Sequence, residues 1–154
     1  MTIAPFVRSV SVKAPPDRAF ALFTGDIGRW WPRGMTIGEQ PHADVVIEKQ
    51  PGGRWFERAD DGTETQWGKV LAWEPPRRLL LAWQVGTGWK YDPASETEVE
   101  VTFAPEGTGT LVTLEHRNLE RLGVNAQAMA TQLSGGWPKI IQFFADYVEK
   151  ETTP

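Results

Sequence analysis

The sequence predicts an α+β chain: a curved antiparallel sheet of about six to seven strands gripping a long C-terminal helix, with two short helices after the first strand. Three observations carry this reading. Short segments of period-two alternation succeed one another, each closed by Pro, Gly or Asp clusters, as antiparallel strands joined by tight turns require. The last segment changes to three- and four-residue steps, the period of an amphipathic helix. Only one face of the strands is dry, and the last segment alone is long and apolar enough to cover it.

The elements follow in order. Phe6–Lys13 alternates, with Arg8, Val10 and Val12 on one face, and stops at Ala14-Pro15-Pro16, where proline ends pairing. Pro16-Asp17 opens a helix that carries Phe20, Leu22 and Phe23 and ends at Thr24-Gly25. Asp26–Trp31 reads as a second short helix, with Asp26 near its N-cap. Gly34–His42 reads as a loop, with His42 exposed beside Pro41. Strands are expected at Ala43–Lys49, Arg54–Arg58, Glu64–Trp73 and Arg77–Val85. Asp60-Asp61-Gly62 is a hairpin turn by its chemistry. Gly86–Ala94 is a loop, and Glu96–Ala104 and Thr110–Asn118 are the last two strands. In the first of these Thr97, Val99, Val101 and Phe103 form the dry face, and Glu96, Glu98 and Glu100 the wet one. The C-terminal stripe runs through Trp137, Ile140, Ile141, Phe144 and Val148. It extends back to Asn125 if Gly135, Gly136 and Pro138, which weaken or kink a helix, are tolerated.

Composition narrows the function classes. A length of 154 residues predicts one domain, residues 1–154. There is no cysteine, so disulfides, thiol catalysis and cysteine-based zinc sites are excluded. With two histidines, no transition-metal site is expected, and no cofactor is expected either. The net charge of -4 and the absence of a basic stripe argue against nucleic acid. No apolar run reaches a membrane span and no signal peptide is visible, which makes the cytoplasm the expected location. Gly52-Gly53 and Gly107-Thr108-Gly109 read as hairpin turns and not phosphate loops, since neither leads into a helix. Arg54 and Arg58 share a strand face, where ion pairing is the plain reading. Eight tryptophans are several times the ordinary load for this length.

Several stretches together resemble one family. They are Ala14-Pro15-Pro16-Asp17-Arg18-Ala19-Phe20, Trp30-Trp31-Pro32, Gly52-Gly53-Arg54-Trp55, Gly68-Lys69-Val70, Glu74-Pro75-Pro76-Arg77-Arg78-Leu79, Leu114-Glu115-His116 and Gly136-Trp137. In this order the chain is similar to the START-like (SRPBCC, helix-grip) superfamily, and within it to activators of the heat-shock-protein-90 ATPase and their bacterial homologues. The resemblance implies a ligand-binding cavity between sheet and long helix, able to hold lipid-like or aromatic molecules. Through its chaperone branch it also implies a place in the stress response. The eukaryotic co-chaperones carry a separate N-terminal domain for which 154 residues leave no room, and the family has no universal catalytic set.

Parity nominates the cavity wall: Leu81, Trp83, Val101, Phe103, Val112, Leu114 and His116 from the strands, and Trp137, Ile141 and Phe144 from the helix. Trp30, Trp31 and Met35 are placed at its mouth, while the parity of Trp55 and Trp67 is not clean. Apolar periodicity reports burial and not ligand contact, so each of these residues also has a plain reading as core. His116 points inward and is the candidate acid or base, with Tyr147 as its nearest helper; the plain reading is a core histidine bonded to backbone or to Tyr147. Three functions stay open. The first is binding of a small apolar or aromatic ligand. The second is a cofactor-free aromatase- or cyclase-like enzyme. The third is a chaperone-modulating protein using an exposed patch of Trp73, Trp89 and Tyr91. The chain is expected to be a monomer or a homodimer.

Overall fold

A computed structural model of the chain describes residues 2–38 and 42–152, the side chains of residues 42 and 43 excepted. Strand β1 (Phe6–Val12) leads into helices α1 (Pro16–Gly25) and α2 (Ile27–Trp30). Strands β2 (His42–Ile47), β3 (Arg54–Ala59), β4 (Glu64–Glu74) and β5 (Arg78–Trp83) follow. A two-residue pair, β6 (Val85–Gly86) and β7 (Lys90–Tyr91), interrupts the chain before β8 (Thr97–Glu106) and β9 (Gly109–Arg117). Helix α3 (Ala126–Thr152) closes it. The main sheet has seven strands in the order β1-β9-β8-β5-β4-β3-β2, every neighbouring pair antiparallel.

The sheet curls into a half-barrel around α3, which has 27 residues and so runs about 40 Å. Burial alternates strictly along β9, with Val112, Leu114 and His116 inward. The outer face carries ion pairs: Arg54 with Glu48 and Glu64, Arg58 with Glu64, and Arg117 with Glu98 and Glu100, each at 3.0 Å, and Arg78 with Glu100. These screened pairs order the wet face and add little stability. No helix among the described residues is long and apolar enough to cross a membrane.

The structure decides one open expectation and differs from the others in three places. Helix α3 is unbroken through Gly135, Gly136 and Pro138. Pro138 removes one backbone donor, and the carbonyl it orphans belongs to Ser134, an exposed residue where water can take the bond. The loop expected at Gly86–Ala94 contains the β6–β7 pair, and strand pairing already begins at His42; the exposure of its side chain and residues 39–41 lie outside the description. Two β-bulges, between Trp55 and Phe56 and between Val70 and Ala72, shift the register of β3 and β4. Both insert their extra residue on β4, at Trp67 and Leu71, and a bulge flips the facing of everything beyond it, which is why parity did not place Trp67. Gly68 lies between the two bulges, and a Cβ there would collide with the Ala82 carbonyl oxygen.

Candidate functional site

The inward tryptophans meet at one end of the half-barrel. Trp31 follows α2, Trp67 and Trp83 come from β4 and β5, and Trp137 comes from α3. Their ring centroids close a circuit: Trp31 to Trp67 is 5.0 Å, Trp67 to Trp83 6.4 Å, Trp83 to Trp137 5.9 Å and Trp137 to Trp31 6.0 Å. Trp55 packs behind, within 6.3 Å of Trp31, Trp67 and Trp83. The contacts are edge-on or tilted, as the ring quadrupole prefers.

These rings form one side of a cavity of about 280 Å³. The α3 side is made by Gln132, Leu133, Gly136, Trp137 and Ile140, which recur at three- and four-residue steps on one helix face. Gly136 contributes bare backbone: a Cβ there would meet nothing within 4 Å. Over the cavity lie Gly34, Met35, Thr36, Ile37 and Trp89. Trp89 has φ 58°, a left-handed backbone unusual for a bulky residue, and its indole is half-buried against the core.

Polar anchors hold the walls. The Trp31 Nε1–H donates to the Met35 carbonyl at 2.7 Å. Glu57 is 1 % exposed, and its Oε1 accepts from Trp67 Nε1 at 2.7 Å, from the Ile37 N–H at 2.8 Å and from the Gly38 N–H at 3.1 Å. This carboxylate therefore ties the covering segment to an indole of the floor. Sequence reading missed it. The available signal was its two-residue step from Trp55 on β3, with Ala59 two residues further on, all three buried.

His116 is held differently from expectation. The Trp137 Nε1–H donates to Nδ1 at 3.0 Å, and Nε2 lies 2.7 Å from Thr97 Oγ1, which itself donates to the Trp83 carbonyl at 3.3 Å. Indole N–H can only donate, so the imidazole proton sits on Nε2. Burial pushes the His116 pKa down to about 3. Tyr147 is elsewhere: its hydroxyl donates to Asp26 Oδ2 at 2.7 Å, and burial first, then the Asp26 carboxylate, raise its pKa to about 12. The Tyr147 partner considered for His116 is thus replaced by Thr97 and Trp137.

Of the residues nominated for the wall, Trp83 and Trp137 line the cavity, as do Trp31 and Met35 of those placed at its mouth. Leu81, Val101, Phe103, Val112, Leu114, His116, Ile141 and Phe144 are buried in the layer between sheet and helix, away from its wall. Trp30 donates to the Leu22 and Phe23 carbonyls and faces a second groove, with Arg29, Phe143 and Tyr147. The envisaged aromatic patch is dispersed. Trp73 packs edge-on against Phe20 at 5.0 Å, Trp89 covers the cavity, and Tyr91 alone is exposed, at 39 %. Trp73 is also six residues along β4 from Trp67, about 20 Å of strand. Among the described residues no three His, Asp or Glu side chains gather as a metal site would need.

The family model for Activator of Hsp90 ATPase homolog 1-like protein matches residues 13–149. No curated protein matches the chain. Among solved structures, an anthrahydroquino-gamma-pyrone synthase complexed with SUM is 35% identical over 94% of this chain and 97% of that one, with a TM-score of 0.67. The self-sacrificing resistance protein CalC from Micromonospora echinospora is 32% identical over 94% of each chain, with a TM-score of 0.70. The Aha1 dimer from Colwellia psychrerythraea, 15% identical over 98% of this chain and 100% of that one, with a TM-score of 0.67, shares the fold alone.

Proposed function

The chain belongs to the Activator of Hsp90 ATPase homolog 1-like family, and from that premise we propose that it binds a small apolar or aromatic molecule in the cavity between sheet and α3. The observation that carries this is the set of five indoles, Trp31, Trp67, Trp83, Trp89 and Trp137, lining one cavity of about 280 Å³. Pockets for small ligands are mostly apolar with a few placed polar groups, and here Thr36 and Gln132 supply those. The synthase neighbour, solved with a bound molecule, supports the same reading.

Catalysis on such a ligand is the second reading, favoured by the 35% identity to a synthase. His116 does not serve it. Both its ring nitrogens are engaged, its pKa of about 3 keeps it neutral, and it lies off the cavity wall. A reaction here would rest on positioning of the substrate between the rings.

The test is a titration of indole emission with a panel of neutral aromatic compounds, checked by native mass spectrometry for a discrete added mass. Binding is expected to quench or shift the emission and to give a one-to-one complex. A panel that leaves emission unchanged and adds no mass contradicts the proposal. An added mass that converts to another over time selects the catalytic reading.

A further inference from the structure

The cavity's charge environment goes further than its apolarity. No Lys, Arg or His is among the described residues that line it. One ionisable group stands directly behind the wall, the buried Glu57, and it is bonded to two lining residues, Trp67 through its indole N–H and Ile37 through its backbone. The ion pairs of Arg54, Arg58, Arg78 and Arg117 lie on the outer face of the sheet.

Two consequences follow from electrostatics. An anionic ligand would lose its hydration and find no Lys, Arg or His among the described lining residues to replace it, which is costly. A cation would meet a lining of five indoles, whose π-systems attract positive charge, and the oxygens of Glu57 beyond. The bond from Trp67 Nε1 to Glu57 Oε1, at 2.7 Å, adds to this, because an N–H donating to a carboxyl oxygen shifts electron density towards the opposite side of the indole. We infer that the site selects an organic cation: an apolar or aromatic body carrying an alkylated ammonium group. A quaternary or heavily alkylated ammonium fits better than a primary one, because it sheds little hydration on entering the ring cage. This inference rests on the ligand-binding reading above and specifies its ligand class.

The experiment uses three probes of one shape and three charges: phenyltrimethylammonium, tert-butylbenzene and benzenesulfonate. Each is titrated into the full chain by indole emission and calorimetry. The cation should bind about tenfold more tightly than the neutral isostere, and the sulfonate should not bind. In Glu57→Gln, which keeps an oxygen acceptor for the three N–H donors, the tenfold preference should fall to about twofold. Trp89→Leu, at a half-buried loop position, is a second variant: it should weaken the cation more than the neutral probe. If tert-butylbenzene binds as well as the cation or better, the inference is overturned while ligand binding stands. If all three probes and the neutral aromatic panel fail to bind, both are overturned.

Discussion

His116 carries its proton on Nε2 because Trp137 already donates to Nδ1, and Thr97 passes the bond on to the Trp83 carbonyl. The chain of donors links α3, β9, β8 and β5, so the ring works as a polar pin through the core. Unfolded, this imidazole takes a proton below about pH 6.5; folded, it stays neutral down to about 3. The unfolded state binds more protons across that window. The stability held by the neutral ring is therefore fully present above pH 6.5 and lost as pH falls towards 3. Urea unfolding of the wild type should lose about 1 kcal/mol between pH 7 and 5.5, and His116→Gln should lose far less over the same interval. Equal losses in the two proteins would show that His116 is not the group responsible. Glu57 makes a second prediction at this scale. Glu57→Ala leaves the Trp67, Ile37 and Gly38 N–H groups without their acceptor and should cost about 3 kcal/mol. A denaturant midpoint near that of the wild type would contradict the assigned anchor.

Helix α3 presents Gly136 to the cavity, and a Cβ there would meet nothing within 4 Å. Glycine is a poor helix residue, so Gly136→Ala should stabilise the fold by about 0.5–1 kcal/mol. Gly136→Leu puts a larger side chain into the cavity and should abolish ligand binding in a protein that melts no lower than the wild type. Retained affinity in Gly136→Leu would place the ligand elsewhere. Much of this element level was legible in the sequence. Period two located the strands, and the helical step located α3, whose Trp137, Ile141 and Phe144 all turn inward. The cavity wall was less legible for three physical reasons. Bulges beside Trp55 and Val70 broke the parity that would have turned Trp67 inward. Glu57 reads as a surface strand residue unless the backbone donors from residues 37 and 38, far away in sequence, are known. Trp89 reads as an exposed loop residue, yet its left-handed backbone folds the indole back over the cavity.

At the scale of the whole molecule, one stretch between half-barrel and α3 is filled by phenylalanines and another holds the cavity. Phe20, Phe23, Phe103 and Phe144 interlock at centroid distances of 5.0–5.8 Å in the packed region. The tryptophans gather where the covering segment and the β6–β7 turn leave space. Burying large rings in the first region gives the fold its stability, and that allows the second to hold a cavity. Family membership agrees with the architecture, and two neighbours above 30% identity, a synthase and a resistance protein, show how differently one fold is used. The central claim is that the tryptophan-lined cavity is a ligand site and not a packing defect. Its most direct test is the melting temperature of the wild type and of Gly136→Leu, side by side, with and without an excess of the tightest compound from the aromatic panel. A ligand that binds only the folded state at 100 times its Kd adds about 2.7 kcal/mol. That stabilisation should raise the wild-type melting temperature by several degrees and leave Gly136→Leu unmoved. Equal shifts in both proteins, or none in either, would contradict the account.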